Sequence, residues 1–291
     1  MKLIDLTKNL TESESVRGIR CNGNEAATQA ESTVAVEHLM DVYVNETLTM
    51  KLVCSPSALP ELVLGRLYSE GIIESTEDVT ELYICQYGSR ARVMLNRQAQ
   101  TESSKNFVET TGTCCTSNHV LSDAFRMGSE PKTVQPIHWE PEWFYHAASL
   151  IREGTALFNA THGVHSCYLI QEGEMLLFRE DLGRHNALDK VIGAALMQGI
   201  DLKQCALFSS GRLPTDMVAK AIRAGVPVLA SKAAPTAQGM AFVDGDYTIS
   251  MADGKLILTY TLSVRYGVDG AAEVTEKIYT FDAATGERLA E

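Results

Sequence analysis

The run Arg179 to Gly193, REDLGRHNALDKVIG, places two acids, a glycine, arginines, a histidine and an asparagine within its first eight residues. A strand is expected just before it, over Met175 to Phe178. Leu188, Val191, Ile192, Ala195 and Leu196 then recur at helical spacing, so a helix with a buried face begins at once. A strand, a short polar turn at Gly183 and a helix together present free backbone N–H groups and a positive dipole end at the mouth of an α/β sheet. Arg184 and His185 fall in the first turn, where an anion would be held. His185 and Asp189 are four residues apart and could pair on one helix face. An amphipathic helix with a solvated start accounts for this stretch alone equally well.

A second stretch of the same kind is SSGRLPTDM, Ser209 to Met217, which again follows a strand and opens a helix. Gly211 permits close backbone approach, Ser209, Ser210 and Thr215 offer hydroxyls, and Arg212 offers a planar fork suited to phosphate. One polar turn of this type is usually only a cap. Two in one sheet converge on a crevice at its carboxyl edge, and an anionic ligand is the expected occupant.

The seven cysteines divide by context. Cys54, Cys85, Cys167 and Cys205 lie in apolar strand settings and read as inert core residues. Cys21 falls in a polar stretch and carries no signal. Cys114 and Cys115 are adjacent, flanked by Thr, Gly, Ser and Asn, with His119 nearby. A thiolate there could accept sulfur as a persulfide and carry it elsewhere; a chance pair on a surface loop is the alternative. His138-Trp139-Glu140 has the His-x-Glu form of zinc deaminases, but the Pro-Cys-x-x-Cys partner is missing from the chain. Cys-x-x-Cys and His-Glu-x-x-His are missing too, so no protein-bound metal is expected.

The remaining chain must position these groups. Its 291 residues, 45% hydrophobic, suffice for one large or two ordinary domains. No membrane span and no signal-peptide core is found, and an odd cysteine count fits a reducing cytoplasm. A net charge of −12 argues against bulk nucleic-acid binding. The charge is uneven, with 12 basic and 20 acidic residues in 1–143 against 10 and 11 in 144–260. The segment holding both polar turns is therefore the least acidic.

Residues 1–32 are polar and aperiodic and read as a loose arm with at most one short strand. Residues 33–128 read as a small α+β domain carrying the cysteine loop. It contains strands around a hairpin turn at Asn45-Glu46, and a helix from Ala58 to Ser69 with Ser57 as N-cap, Pro60 in its first turn and Gly71 at its end. Residues 129–143 read as a linker. From 144 to 260 helices and strands alternate, which predicts a mostly parallel layered sheet closed by Thr248–Met251 and Leu256–Tyr260. Residues 261–291 read as an added hairpin.

Taken together, these residues resemble the formate dehydrogenase accessory sulfurtransferase (FdhD) family. The resemblance runs from about Thr33 to Tyr260. It is carried by VAVEHLMDVYVN, LVLGRLYSEGIIES, THGVHSCYLI, REDLGRHNALDKVIG, SSGRLPTDMVAKAIRAGVPVLASKAAPT and SMADGK. It implies an α/β fold: a cytidine-deaminase-like layered sheet in the C-terminal part without the deaminase zinc ligands, and a smaller N-terminal α+β domain. It also implies a cytoplasmic homodimer that takes sulfur from a cysteine desulfurase. The sulfur passes to the bis-molybdopterin guanine dinucleotide form of the molybdenum cofactor before its insertion into formate dehydrogenase. The family's cofactor-binding segment falls on Ser250, Met251, Ala252, Asp253, Gly254 and Lys255, and the nucleotide phosphates suit Arg184, His185 and Arg212.

The family's loop carries Cys-x-x-Cys. Here it reads Thr111-Gly112-Thr113-Cys114-Cys115, and Cys115 keeps the family spacing from Gly112. The carrier is thus Cys115 or Cys114. Two other readings stand beside it: a cofactor chaperone without the relay, and a nucleotide-modifying enzyme on the same fold, which the absent zinc ligands disfavour.

Overall fold

Strict alternation sets the first sheet. In β4 (His38–Val44), Met40, Val42 and Val44 are buried and the residues between them are at least partly open, so one face of the strand is core. Asn45 and Glu46 both take positive φ, the geometry of a two-residue hairpin turn, and lead into β5 (Thr47–Cys54). The computed structural model describes residues 1–21, 27–96, 110–111, 134–236, 245–252, 255–264 and 273–282. The described strands of this sheet are β1 (Lys2–Asp5), β4, β5, β6 (Val79–Ile84), β7 (Arg90–Leu95) and β8 (Thr110–Thr111), in the order β1-β6-β7-β4-β5-β8.

Its buried face packs on α1 (Leu59–Ser69), which is apolar nearly all round. Pro60 sits in the first turn of α1 as expected. Ser57 does not cap it: the N-cap is Ala58, in a left-handed conformation, and the Ser57 N–H donates to the Ser55 carbonyl.

The expected loose arm instead contains β2 (Ser13–Arg20) and β3 (Thr28–Ala35), paired antiparallel in a sheet of their own. Both strands are largely exposed, so no buried face imposed an alternating apolar pattern that could be read.

The second layer system follows α2 (Pro141–Glu153) and α3 (Ala156–Thr161). β9 (His165–Gln171) turns through Glu172-Gly173 into β10 (Glu174–Asp181). Then come α4 (Arg184–Gln198), β11 (Ala206–Ser209), α5 (Thr215–Ala224) and β12 (Val228–Ser231). The sheet order is β10-β9-β11-β12. The expectation of a mostly parallel sheet fails, because only β11 and β12 pair in parallel. A two-residue turn can join only antiparallel strands, and it makes β9 run against its neighbours. Side chains of β9 divide between the faces: Cys167 and Leu169 pack with α4 and α5, Tyr168 and Ile170 with α2. The result is a mixed α/β, three-layered arrangement.

Helix α1 lies directly against α4. A Cβ on Gly65 would overlap the Asp189 carbonyl oxygen, and one on Gly193 would overlap that of Glu61. Glycine at both positions is what lets the helix backbones approach. Residues 1–234 form one compact unit and 235–291 a second. The second holds β13 (Gly245–Ala252), β14 (Lys255–Val264) and β15 (Glu273–Asp282) as an antiparallel meander. The strands expected to close the main sheet therefore belong to this separate one, β14 being longer than anticipated. The short helix expected at Thr236–Phe242 falls almost wholly outside the described residues. Among those residues no helix is long and apolar enough to cross a membrane.

Candidate functional site

Because β9 opposes both β10 and β11, the ends of β10, β11 and β12 and the start of β9 share one edge of the sheet. The two polar turns both lie there. Their residues do different things.

Asp181, at the end of β10, is fully buried. Its Oδ1 accepts from the Gly183 N–H and Asn186 Nδ2, both at 2.9 Å. Its Oδ2 accepts from the Ser55 N–H at 2.9 Å and meets Lys190 Nζ at 2.7 Å. Asn186 also donates to the Val53 carbonyl, and Lys190 to those of Ser55 and Glu180. The acid, amide and amine of this turn are thus committed to tying it to the end of β5.

Asp189 does not pair with His185 as the spacing allowed. It faces α1 and α5, where Ser69 Oγ donates to its Oδ1 at 2.8 Å and Lys220 pairs with its Oδ2. Arg66 Nη1 lies 3.7 Å from the same oxygen. Arg179 makes a two-pronged contact to Glu61 of α1.

The residues left facing the edge are basic. Arg184 opens α4 and is buried. A Cβ added to Gly211 would lie 2.7 Å from Arg184 Cβ and Cδ, so the second turn lies flat against this side chain only because it has glycine there. That turn is fixed by its hydroxyls. The Gly211 N–H donates to Ser209 Oγ at 3.1 Å and Ser231 Oγ donates to the Gly211 carbonyl. Ser210 is held to β9 by its own N–H, which donates to the Ser166 carbonyl, and by its Oγ, which accepts from the Ser166 N–H, both at 2.9 Å. Arg212 follows, exposed.

His185 is buried and its Nε2 lies 2.7 Å from Asp216 Oδ2 in the first turn of α5. Burial lowers its pKa more than Asp216 raises it. His165, which the sequence reading did not single out, belongs to this edge: its Nδ1 lies 3.3 Å from Ser210 Oγ. Burial, then Arg184 and His185, hold its pKa below the usual value. Position parity along β9 was the available signal, since His165 alternates with Cys167 and Leu169, which pack with α4 and α5.

Two guanidiniums, two imidazoles and a hydroxyl are a donor set for an oxyanion such as phosphate. A consequence can be measured without ligand. A histidine whose folded pKa is lowered binds fewer protons in the folded than in the unfolded state. Stability is then full above the unfolded value and is lost as pH falls through that value towards the folded one. The melting temperature is expected to drop between pH 7 and pH 5.5, and less so in a His165→Asn/His185→Asn variant; thermal melts across that range check it.

Cys114 and Cys115 lie outside the described residues, as do Asp253 and Gly254. Ser250, Met251 and Ala252 end β13 and Lys255 begins β14, with Ala252 opposite Lys255 in the register. Burial pushes the Cys54 thiol up to about 12 and raises Cys167 further, and burial then Asp201 pushes Cys205 to about 11, in keeping with inert core roles. Cys85 departs from that reading. It is half-buried and lines a cleft of about 500 Å³ with Tyr83, Tyr87, Arg90 and Arg92 on the open face of the first sheet. Burial raises its thiol, but the Ser89 hydroxyl and nearby backbone groups outweigh that and lower it.

Among characterised relatives, a protein named sulfur carrier protein FdhD from Halalkalibacterium halodurans is 30% identical over 272 residues, covering 92% of this chain and 96% of that one. Another of that name, from Bacillus subtilis, is 29% identical over 209 residues, 72% of this chain and 80% of that one. A crystal structure described as a formate dehydrogenase accessory protein from Desulfotalea psychrophila is similar with a TM-score of 0.58 at 25% identity, covering 80% of this chain and 88% of that one. The FdhD/NarQ family pattern matches residues 35–251, which take in β4, α1, both polar turns and nearly all of β13. The chain belongs to the FdhD/NarQ family.

Proposed function

We propose that this protein is a cytoplasmic sulfur carrier for formate dehydrogenase, acting as a homodimer. A thiolate at Cys115 or Cys114 attacks the outer sulfur of a cysteine desulfurase persulfide. The desulfurase leaves as its thiolate, and the sulfur is now a persulfide on this chain. The sulfur is then passed to bis-molybdopterin guanine dinucleotide, which is the substrate. The observation that carries the reading is the convergence of Arg184, Arg212, His165 and His185 around Ser210 at one sheet edge. That donor set fits the phosphates of a guanine dinucleotide. The family resemblance separately assigns Ser250 to Lys255 to cofactor binding. The names carried by the relatives support the sulfur-carrier role.

The test is guanine-nucleotide binding. Arg184→Ala and Arg212→Ala each remove a charge-assisted contact worth ~1.5–3 kcal/mol. Kd for GDP is expected to rise accordingly in both, with circular dichroism unchanged, and to rise with salt in the unaltered protein. Unchanged affinity in both variants, or a flat salt titration, would remove the phosphate reading of this edge. The loss of Cys-x-x-Cys spacing favours one second reading, a chaperone that binds the same cofactor without relaying sulfur.

A further inference from the structure

One of the donors at this edge, His165, is also titratable. His165 starts β9 and is flanked on every side. From α4 it faces Arg184 and His185, from β10 its register partner Asp181, and from the turn after β11 Ser210 and Arg212. Asp181 cannot serve as its acceptor, because both carboxylate oxygens are already committed to Ser55, Gly183, Asn186 and Lys190. Glu180, the next carboxylate along β10, accepts from Thr155 and Ser166 instead. Asp216 is engaged with His185. Among the described residues around it, His165 therefore meets more positive charge than negative.

We propose that His165 is a phosphate-recognising group of this edge and that it takes up a proton from solvent when the anion binds. The proposal rests on the crevice reading above and adds to it a proton exchange at His165 and a sign of pH dependence. The hydrogen bonds set out the exchange. Ser210 Oγ accepts from the Ser166 N–H and lies against His165 Nδ1. With the imidazole neutral, the Ser210 hydroxyl donates to Nδ1 and the ring proton sits on Nε2. An arriving anion supplies the missing negative charge. The ring then gains a proton at Nδ1, which donates back to Ser210 Oγ. The serine hydrogen is released to turn towards the anion, so one proton taken up adds a donor as well as a charge. Burial and the neighbouring arginines hold the histidine neutral beforehand, which is what makes the uptake depend on the ligand.

The probe is GDP-mannose, whose diesterified pyrophosphate does not itself titrate near neutrality. Calorimetry on the full chain, in buffers of different ionisation enthalpy, reads proton uptake directly. Uptake is expected between about pH 6 and 7, vanishing at higher pH, with affinity about tenfold tighter at pH 6 than at pH 8. His165→Asn is expected to lose both the uptake and the pH dependence of binding. His185→Gln is expected to keep the uptake. Binding with no uptake and no pH dependence overturns the role of His165 and leaves the crevice standing. Uptake that survives His165→Asn but is lost in His185→Gln overturns the assignment. No binding at either pH overturns the crevice itself. Proton uptake is read on the unaltered protein, so the test holds even if a variant fails to fold.

Discussion

Cells carrying the Cys114→Ser/Cys115→Ser variant as their sole copy are expected to hold inactive formate dehydrogenase, at the level found with no carrier. A serine hydroxyl cannot accept sulfane sulfur, so the relay has no acceptor. The described core thiols cannot stand in: Cys54, Cys167 and Cys205 are buried and raised. Cys21 is exposed and Cys85 half-open, and these two could mimic a carrier in a thiol assay. The matched control is therefore Cys21→Ser/Cys85→Ser, which is expected to leave formate dehydrogenase active. The Cys114→Ser/Cys115→Ser protein should still bind guanine nucleotide, because none of the residues at the sheet edge is altered. Full enzyme activity with both thiols gone would leave the cofactor-chaperone reading in place of the relay.

The second large effect is on stability. Asp189 sits between α1 and α5, fully buried, against Ser69, Lys220 and Arg66. Asp189→Ala strands the fully buried Lys220 ammonium and is expected to cost about 3–5 kcal/mol. That is a large share of the roughly 5–15 kcal/mol that holds a typical protein folded. Urea unfolding reads it as a lower midpoint. Removing both charges with Asp189→Leu/Lys220→Met is expected to recover much of the loss, since the stranded charge rather than the missing attraction carries the penalty. If the double variant is as unstable as the single one, packing or the Ser69 contact dominates instead.

These two predictions draw on different kinds of sequence information. The polar turns could be read directly, because a strand, a short turn and a helix are local patterns. Their destination at one sheet edge followed from the alternation of elements, although the hairpin at Glu172-Gly173 made the sheet less parallel than expected. What each residue does could not be read. Asp181 and Asn186 stood in the run as candidate chemistry, yet with Lys190 they spend polar atoms on Val53 and Ser55, more than a hundred residues away. One chain without partners in view cannot distinguish a ligand-binding acid from one that clamps two halves of a fold. The same holds for Gly65 and Gly193, which no local pattern marks out and which are the places where α1 and α4 touch. The β2–β3 ribbon escaped because it buries neither face. His165 escaped because its parity along β9 gives only the face it shares with Cys167 and Leu169, and its neighbours give it a role.

The central claim is that this chain carries sulfur on Cys114 or Cys115. The most direct measurement is the mass of the peptide containing Cys114 and Cys115 after incubation with a cysteine desulfurase and cysteine. The account predicts an increase of one sulfur atom on that peptide, removed by reductant and absent from the Cys114→Ser/Cys115→Ser variant. A Cys114–Cys115 peptide that stays at its unmodified mass while the desulfurase turns over would contradict it.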